Sequence, residues 1–358
     1  MDSIGKFDPA GKKVLVRLDF DVPVKQGKIE DPFRLEASLE TLKYLQNAER
    51  IYLIGHAGRP GGKVVEELSL RPQAEYLAQK FNLSLKEVAS PFYYRRFLLG
   101  EKIEVLENLR FFVGEEANDR KFAQKYAELA DAFVFEAFAV SHRKHASVFW
   151  LPRLLPSYLG FRAQKEIEVL SQLKEEAKDT VAVVGGGKAE DKADLIRQFK
   201  AKKVLLGGRT ANELCLKKVK LPKNVVLPID GVLPSGEVKD YAEMNEEEVA
   251  AVRDIGPKTV EFYSRFFKQG KNILFAGPVG QFEKREFAQG TKNLYQKALG
   301  LNKFTVLLGG DSSFAALKFG LRDKFSYVSV GGGASLHFLV DGKLVFAEYG
   351  SKRKLTKN

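Results

Sequence analysis

The stretch TVAVVGGG, at positions 180–187, is a nearly continuous apolar run that ends in three glycines. An apolar run of this length, without polar alternation, is typical of a strand buried on both faces of a parallel sheet. Glycines directly after such a strand indicate a tight turn into a helix, where backbone N–H groups can approach a phosphate closely. The stretch therefore predicts one strand–turn–helix unit of an open α/β sheet.

Similar short runs recur along the chain, and most are separated by segments whose apolar residues have helical spacing. In the first half they are KVLVRLDF (13–20), RIYLIGH (50–56), KIEVLEN (102–108) and AFVFEAF (132–138). In the second half they continue with KVLLGG (203–208), NVVLPIDG (224–231), KNILFAG (271–277), FTVLLGGD (304–311) and SYVSVGGG (326–333). Strands that alternate with helices indicate βαβ units with right-handed crossovers. A chain of 358 residues has room for two such domains, so we predict an α/β fold with two doubly wound, Rossmann-like parallel-sheet domains joined by a hinge helix.

The segment near the middle of the chain differs from the rest. Residues 151–160 contain two prolines and a glycine, and residues 163–179 place apolar side chains on one helical face among lysines and glutamates. We interpret this segment as the connector that contains the hinge helix. The predicted domains are 1–155 (N-terminal), 156–179 (connector and interdomain helix), 180–343 (C-terminal) and 344–358 (C-terminal segment).

The composition excludes several classes of protein. Hydrophobic residues make up 44% of the chain, which is too many for a disordered protein. No apolar run approaches the roughly 18 residues that span a bilayer, and the N-terminus lacks the apolar core of a signal peptide. The single cysteine, Cys215, cannot form an internal disulfide, which is typical of a reducing compartment. We therefore predict a cytoplasmic protein without a membrane partner.

The net charge of +12 indicates a basic surface that attracts anions of many kinds. Nucleic acid and small phosphorylated metabolites are both compatible with it. A protein that binds single-stranded nucleic acid would interleave aromatic and basic residues, and the sequence contains no such motif. We therefore expect small anionic ligands and no nucleic-acid partner.

The residues that follow the predicted strands differ between the two halves of the chain. Ligands of open parallel sheets bind at the carboxyl ends of the strands. In the first half these positions hold Arg17, Asp19, Asp21, His56, Arg59, Glu107, Asn108, Arg110, His142, Arg143 and His145. In the second half they hold glycines, at 185–187, 207–208, 277, 309–310 and 331–333. Arginine forks suit a small polyanion and glycine turns suit nucleotide phosphates, although a glycine turn or an exposed arginine also fits a purely structural role.

Two common nucleotide-binding motifs are absent from the sequence. Lys188 follows Gly187 but precedes Ala189, so the chain has no GxxxxGK[ST] loop. No predicted strand is followed by GxGxxG, which argues against a dinucleotide-dependent dehydrogenase, the alternative enzyme that the fold class alone would allow.

Several motifs together resemble those of the phosphoglycerate kinase family, in order and over nearly the whole chain. In the first half they are VRLDFDVP (16–23) with Arg34 downstream, GHAGRP (55–60), LENLRF (106–111) and HRKHAS (142–147). In the second half they are GGGKAEDK (185–192), LPID (227–230), DIGPKT (254–259), GPVGQFE (277–283), FAQGT (287–291), GGDSS (309–313) and VGGGAS (330–335). Each motif alone is weak, but their joint order and spacing are specific.

The resemblance implies a reversible phosphoryl transfer between ATP and 3-phosphoglycerate, which gives ADP and 1,3-bisphosphoglycerate, requires Mg²⁺ and belongs to glycolysis and gluconeogenesis. It implies a phosphoglycerate site formed by Asp19, Asp21, Arg34, His56, Arg59, Arg110 and Arg143. It implies a nucleotide site formed by Gly186, Lys188, Lys192, Gly207, Gly208, Pro278, Glu283, Gly310, Asp311 and Ser312, with Asp311 as the magnesium ligand. The residues expected to act on the transferring group are Arg34, Lys192, Gly332 and Gly333. It also implies a monomer whose domains close about the hinge helix and whose C-terminal segment returns to the N-terminal domain.

The sequence departs from the family pattern at several positions. Asp21 stands where the family usually has asparagine, Phe135 and Glu136 stand where it has Asn-Asp, and Ala276 replaces another asparagine. These departures leave open an alternative function, a nucleotide- or metabolite-binding protein on the same scaffold with little or no transferase activity. We expect an active kinase, because the charged residues that phosphoryl transfer needs most are all present.

Overall fold

The apolar runs of the sequence form the central strands of two separate sheets. The structure, a computed structural model, describes residues 1–187, 189–218 and 220–346. The chain divides into two compact units: unit 1 is Met1–Glu168 together with the residues from Lys343 onward, and unit 2 is Val169–Gly342. The division falls inside the segment 156–179, which the sequence analysis assigned to the connector, and the domain boundaries stated there stay predictions.

Unit 1 is built on an eight-stranded sheet with a small ribbon beside it. The strands are β1 (Asp2–Ser3), β2 (Lys13–Arg17), β3 (Val24–Lys25), β4 (Lys28–Ile29), β5 (Arg50–Ile54), β6 (Leu85–Ser90), β7 (Tyr94–Leu99), β8 (Ile103–Leu106), β9 (Ala132–Phe135) and β10 (Ser157–Leu159). The order across the large sheet is β1-β10-β9-β2-β5-β8-β7-β6, and β3 pairs with β4. Because β9, β2, β5 and β8 are parallel neighbours, their carboxyl ends meet at one edge.

The centre of this sheet is buried because its strands are apolar on both faces. Val16 of β2 and Leu53 of β5 are paired in register and pack in the main apolar cluster of the unit. Arg17 ends β2 opposite Ile54 of β5 and Phe135 of β9. The strand therefore delivers a charged side chain to the carboxyl edge of an otherwise apolar sheet.

Helices lie between these strands along the chain. They are α1 (Phe33–Glu36), α2 (Leu39–Tyr44), α3 (Arg71–Phe81), α4 (Val113–Glu116), α5 (Arg120–Ala127), α6 (Ala146–Phe149), α7 (Leu151–Leu154) and α8 (Phe161–Glu175). Helix α8 begins in unit 1 and ends in unit 2. It coincides with most of the helix that the apolar spacing of residues 163–179 predicted.

One edge of the unit 1 sheet is antiparallel, which the sequence pattern did not indicate. Strands β6 and β7 form a hairpin in which Leu85 lies opposite Leu99, and β7 also runs antiparallel to β8. Lys86 and Glu87 of β6 are exposed, as charged residues on an edge strand often are. Their polarity explains why no apolar run marked this strand.

Unit 2 is built on a six-stranded parallel sheet and a smaller antiparallel one. The strands are β11 (Thr180–Val184), β12 (Lys203–Leu206), β13 (Val225–Val226), β14 (Asp230–Val232), β15 (Val238–Asp240), β16 (Asp254–Ile255), β17 (Asn272–Ala276), β18 (Phe304–Leu308) and β19 (Tyr327–Val328). The order is β13-β12-β11-β17-β18-β19 in the main sheet and β15-β14-β16 in the small one. The predicted parallel α/β fold is confirmed.

The helices of unit 2 follow its strands in sequence. They are α9 (Ala189–Gln198), α10 (Gly208–Leu216), α11 (Glu246–Ala251), α12 (Pro257–Phe267), α13 (Gln289–Leu299), α14 (Gly310–Lys318) and α15 (Gly333–Asp341). Helices α10, α14 and α15 begin within two residues of the end of a glycine-terminated run, as the glycines predicted. Among the described residues, no helix is both long and apolar enough to cross a bilayer.

The run NVVLPIDG forms two strands in different sheets rather than one. Val225–Val226 joins the edge of the main sheet beside β12, and Asp230–Val232 begins the small antiparallel sheet. Pro228 lies between the two strands, and proline has no N–H to continue a ladder of hydrogen bonds.

Asp254 of β16 is a buried carboxylate that ties the small sheet to a helix. Its Oδ2 accepts a hydrogen bond from the backbone N–H of Gly290 at 2.7 Å, and its Oδ1 accepts one from that of Ile255 at 2.9 Å. Burial raises the pKa of Asp254 from 3.8 to about 7, because the charged form is poorly solvated there. The carboxyl group therefore stays largely protonated at mildly acidic pH in the folded chain.

Glu136 follows β9, and its buried carboxylate binds the first turn of α8. Its Oε1 accepts hydrogen bonds from the hydroxyl of Thr41 at 2.6 Å and from the backbone N–H of Arg162 at 3.1 Å. Its Oε2 accepts one from the backbone N–H of Ala163 at 2.9 Å. Burial raises the pKa of Glu136 from 4.5 to about 7. Glu136, which departs from the family pattern, therefore anchors the start of α8 to the sheet of unit 1.

Replacing Glu136 with glutamine is expected to remove a pH dependence of stability. Below pH 4.5 the carboxyl group is protonated in the folded and the unfolded chain alike. As the pH rises from 4.5 to about 7, the unfolded chain loses this proton first, so the free energy of unfolding falls by about 3 kcal/mol. Glu136→Gln lacks this fall. Urea unfolding at several pH values, followed by the fluorescence of Trp150, the only tryptophan, measures the effect in unit 1.

Glu40→Gln is the matched control for this prediction. Glu40 is exposed and precedes Thr41 on α2, so its replacement should leave the pH dependence of the wild-type chain intact. If the free energy of unfolding changes with pH equally in the Glu136→Gln and Glu40→Gln chains, the role given to the buried carboxylate is contradicted.

The described end of the chain packs on unit 1. The backbone N–H of Val345 donates to the carbonyl of Ser141 at 3.0 Å, and the ring of Phe346 lies 4.6 Å from that of Phe135, centroid to centroid. The remainder of the predicted C-terminal segment, residues 347–358, lies outside the described residues.

Candidate active site

Arg17 lies at the carboxyl edge of the unit 1 sheet and is buried, with only 1% of its surface exposed. Its Nε donates to the hydroxyl of Ser147 at 3.1 Å, and its Nη2 lies 3.1 Å from Nδ1 of His56. Burial lowers the pKa of Arg17 to about 10, and the nearby Glu115 and Asp19 carboxylates oppose this shift. The guanidinium therefore remains charged at neutral pH although it is removed from water.

Asp19 and Asp21 follow β2 and position Arg34 of α1. Nη1 of Arg34 donates to the backbone carbonyl of Asp21 at 2.7 Å, and its Nε lies 3.7 Å from Oδ2 of Asp19. The Asp21 carboxylate instead accepts the backbone N–H of Gly58 at 2.9 Å. Burial raises the pKa of Asp19, and the charge of Arg34 opposes that shift. Asp21 thus holds the Arg34 guanidinium through its backbone carbonyl, and Asp19 holds it through its carboxylate.

His56 follows β5 and lies among cationic side chains. It is buried, and its Nε2 is 4.0 Å from Oδ2 of Asp21. Burial holds the pKa of His56 well below its usual range, and the positive charges of Arg17, Arg110 and Arg143 lower it further. The ring is therefore neutral at physiological pH.

Arg110 follows β8 and has a donor that no described residue satisfies. Its Nη1 donates to the carbonyl of Gly58 at 2.7 Å, and its Nε lies 3.3 Å from Oε1 of Glu116. Its Nη2 is buried and has no hydrogen-bond partner among the described residues. Burial and the neighbouring charge of Arg143 both lower the pKa of Arg110. An unsatisfied buried donor beside a second cation indicates a place for an anion.

The structure brings most of the predicted phosphoglycerate residues to one edge of the sheet. Asp19, Asp21, Arg34, His56, Arg110 and Arg143 are linked there by hydrogen bonds, ion pairs or electrostatic interactions. Arg59 is exposed on the loop that follows Gly58, and no described contact joins its side chain to the others.

A pocket of about 490 Å³ lies in unit 2 at the carboxyl ends of β17 and β18. It is lined by the first turn of α14, by residues of α9 and along the length of α15, and by Gly277. Helix N-termini and glycine turns are suited to phosphate because their N–H groups point at the ligand. The predicted residues Lys192, Gly310, Asp311, Ser312, Gly332 and Gly333 all line this pocket.

A second group of predicted nucleotide residues lies at the neighbouring strand ends. Gly186, Gly208 and Pro278 approach one another closely, and Gly207 lies against Val279. Glu283 is exposed on the loop after β17 and does not line the 490 Å³ pocket. Lys188 lies outside the described residues. The glycine turns of β11 and β12 therefore sit together without lining the pocket itself.

Ser312 and Ala276 are both buried at the carboxyl edge of the unit 2 sheet. The hydroxyl of Ser312 is buried and accepts the backbone N–H of Gly277 at 2.8 Å. Ala276, which replaces an asparagine of the family pattern, ends β17 and is fully buried. The backbone of this strand end is thus held by a serine hydroxyl from α14.

Several residues of both sites carry no role in the sequence analysis. Ser147 and Glu115 hold the buried Arg17, which the sequence analysis noted only as a strand-end charge. The signal available in the sequence was the position of this arginine within the apolar run KVLVRLDF. In unit 2, the pocket is also lined by Glu190, Asp194, His337 and Asp341. All four are exposed on α9 or α15, and their polarity resembles that of any solvated helix face.

Replacing Gly277 with alanine is expected to destabilise unit 2 by about 2–4 kcal/mol. Gly277 has a φ of +105°, and a Cβ there would lie 2.7 Å from the carbonyl carbon of Gly185 and closer still to its oxygen. Because both obstacles are backbone atoms, two strand ends must move apart. Urea unfolding followed by far-UV circular dichroism measures the loss.

Gly236→Ala separates the steric effect from the cost of a positive φ. Gly236 has a φ of +88°, but nothing lies within 4 Å of the position of its Cβ. We expect a loss of about 1 kcal/mol for this control. A similar loss in both variants would show that crowding at the pocket rim is unimportant.

The cationic strand edge of unit 1 and the glycine-lined pocket of unit 2 fit a phosphotransferase of the two-unit α/β class. The family model for phosphoglycerate kinase matches residues 4–219 and 209–343. The chain belongs to the phosphoglycerate kinase family, and its activity is the phosphotransferase activity of that family. The resemblance found in the sequence is therefore confirmed.

Solved structures of phosphoglycerate kinases share the fold over their full length. The enzyme from Coxiella burnetii is 30% identical, with a TM-score of 0.80, over 98% of this chain and 99% of that one. The enzyme from Pyrococcus horikoshii OT3 is 27% identical, with a TM-score of 0.82, over 97% of both chains. These matches support the kinase function and offer no support for the alternative of a binding protein without activity.

Proposed function

We propose that 3-phosphoglycerate or 1,3-bisphosphoglycerate binds at the cationic strand edge of unit 1, and that ATP or ADP binds at the pocket of unit 2. The observation that carries this assignment is the buried Nη2 of Arg110, which has no acceptor among the described residues and lies beside Arg143. A phosphate or carboxylate oxygen would satisfy this donor. Guanidinium groups bind such oxygens in a planar, two-point geometry.

Arg34 is the residue that we propose to act on the transferring group from unit 1. The transition state of phosphoryl transfer is loose and anionic, so catalysis depends on alignment and charge stabilisation. The carbonyl of Asp21 and the carboxylate of Asp19 fix the guanidinium before substrate arrives. A preorganised cation costs little reorganisation when the negative charge develops.

Lys192, Gly332 and Gly333 are the residues that we propose to act from unit 2. All three line the pocket. Gly332 precedes the first turn of α15, whose N–H groups can bind phosphate oxygens. Lys192 of α9 would supply a positive charge to the transferring group.

No general base is required in this proposal. The acceptor atom is a carboxylate oxygen, which is already deprotonated and nucleophilic at neutral pH. The neutral His56 and the hydrogen-bonded Asp19 and Asp21 therefore bind and orient the substrate rather than remove a proton from it.

Asp311 is the residue that we propose to hold Mg²⁺. Its carboxylate is exposed, lies in the first turn of α14 and lines the pocket. Magnesium in kinases is held by one or two carboxylates together with substrate phosphates and water, so a single aspartate at this place fits the ion. When bound, the ion neutralises phosphate charge.

We also propose that the two units close about the connector, residues 156–179, during the reaction. Phosphoryl transfer requires the two substrates to meet in line, and water must be excluded to prevent hydrolysis. Helix α8 is continuous through the division between the units, and Glu136 anchors its start.

The proposed state of the protein is a cytoplasmic monomer without nucleic-acid or membrane partners. One chain carries both candidate sites, so a second copy is not needed to complete either of them. The single free Cys215 is compatible with a reducing compartment. Size-exclusion chromatography with light scattering tests the monomer directly.

A coupled assay with 3-phosphoglycerate and MgATP tests the proposed function. An Arg34→Ala chain purified in parallel reveals any contaminating host enzyme. Turnover by the natural sequence that is lost in the variant, and lost again when EDTA removes the magnesium, supports the proposal. Activity no higher than the variant background would overturn it.

A further inference from the structure

Four buried side chains form a series of polar contacts from helix α4 to the cationic strand edge of unit 1. Glu115 of α4, Ser147 of α6, Arg17 of β2 and His56 after β5 are each at most 3% exposed. The Ser147 hydroxyl donates to Oε1 of Glu115 at 2.6 Å. Nε of Arg17 donates to that hydroxyl at 3.1 Å, and Nη2 of Arg17 lies 3.1 Å from Nδ1 of His56.

The chemistry of these four groups determines which atom donates and which accepts in each hydrogen bond of the series. A guanidinium has donors and no acceptor, so Nδ1 of His56 must accept the bond from Arg17. A neutral imidazole whose Nδ1 accepts carries its proton on Nε2. The Ser147 oxygen likewise accepts from Arg17, so its own proton goes to Glu115.

We infer that Arg17 is a positioning residue that fixes His56 in its Nε2–H form, so that the imidazole presents a hydrogen-bond donor to the anionic substrate. The inference rests on the proposed function for the identity of that substrate. Nε2 of His56 is 4.0 Å from Oδ2 of Asp21, one of the residues proposed to form the phosphoglycerate site. Glu115, held through Ser147, balances the buried charge of Arg17.

The surroundings of His56 support a ring that stays neutral. It faces Arg17 from β2, Arg110 after β8, and Arg143 and His145 after β9, with Asp21 as the nearby anion. Burial and the cations also lower the pKa of His145 to about 3. Because Arg17 occupies the Nδ1 lone pair, removing it should both free that nitrogen and make protonation of the ring easier.

The test is nuclear magnetic resonance of the full chain labelled with ¹⁵N-histidine, without substrate. The sequence has only four histidines, which simplifies assignment. The wild-type chain should show His56 with a proton on Nε2, with Nδ1 as a hydrogen-bonded acceptor, and without titration between pH 5.5 and 8. A proton on Nδ1 of His56 in the wild-type chain would overturn the inference, whatever happens to any variant.

The double variant Arg17→Met with Glu115→Gln removes the donor without leaving an unbalanced buried carboxylate. Its Nδ1 resonance should move toward that of a free acceptor, and His56 should begin to protonate at the acidic end of the range. KM for 3-phosphoglycerate should rise about tenfold, with KM for ATP unchanged. An Nδ1 resonance and titration identical to those of the wild-type chain would overturn the inference.

Arg50→Met is the matched control. Arg50 begins β5, the strand that His56 follows, and is paired with Glu104 at the opposite end of the sheet. Its replacement should leave the His56 resonances and KM unchanged. The spectra need neither substrate nor turnover. If the wild-type chain has no kinase activity but carries the His56 proton on Nε2, the result contradicts the proposed function and not the inferred tautomer.

Discussion

Arg34→Ala is expected to lower kcat for phosphoryl transfer by about 10³-fold, because a positioned arginine contributes on this scale to an anionic phosphoryl transition state. KM for 3-phosphoglycerate should rise as well, since the same guanidinium belongs to the proposed phosphoglycerate site. The loss in kcat should exceed the loss in affinity, because the charge on the transferring group is greatest in the transition state. Steady-state kinetics with each substrate varied in turn measures both effects.

Two further variants sharpen this prediction. Arg34→Lys keeps the charge but loses the planar fork held by Asp19 and Asp21, so it should recover only part of the lost rate. Arg71→Ala removes an arginine that is 57% exposed and paired on the surface with Glu75, and should leave kcat unchanged. A decrease of tenfold or less in the Arg34→Ala chain would show that Arg34 binds substrate without acting on the transferring group.

Lys192→Met should lower kcat by about 10²- to 10³-fold with little change in KM for ATP. Lys192 of α9 lines the 490 Å³ pocket together with Asp311 of α14 and Gly333 of α15. In the proposed site, glycine turns and helix N-termini would hold the nucleotide in the ground state, whereas the lysine would follow the phosphoryl group as it moves. Its contribution is therefore confined to the transition state.

Lys297→Met is the control for Lys192→Met. Lys297 lies on α13, is paired with Glu261 on the surface of the same unit and does not line the pocket. Its kinetics should match those of the unchanged chain. If the Lys192→Met chain instead shows a large rise in KM for ATP at constant kcat, the lysine binds the nucleotide uniformly and has no special part in the transfer step.

Most of the fold was predictable because its central strands are apolar on both faces. The runs at 180–184 and 272–276 pair in register as neighbouring parallel strands. The hairpin Leu85–Ser90 and Tyr94–Leu99 was not predictable, because an edge strand needs no apolar face toward water. The small antiparallel sheet was missed for another reason, since its strands are only two or three residues long.

The candidate site was predictable as a set of strand ends but not as a network. Parallel strands bring their carboxyl ends together, so charges after β2, β5 and β8 had to meet. Nothing in the sequence indicated that Arg34 would bond to the backbone of Asp21 rather than to its carboxylate. The partners of Arg17 were hidden for a similar reason, because Glu115 and Ser147 come from short helices distant in sequence.

Glu136 in unit 1 and Asp254 in unit 2 have a consequence for calorimetry. Both carboxyl groups have a pKa of about 7 in the folded chain and ordinary values when unfolded. Unfolding near pH 6 therefore releases protons to the solution, up to one from each group. The heat absorbed on melting will include the ionisation heat of whichever buffer accepts these protons. Phosphate and imidazole solutions of equal pH should therefore give different apparent enthalpies for the same structural transition.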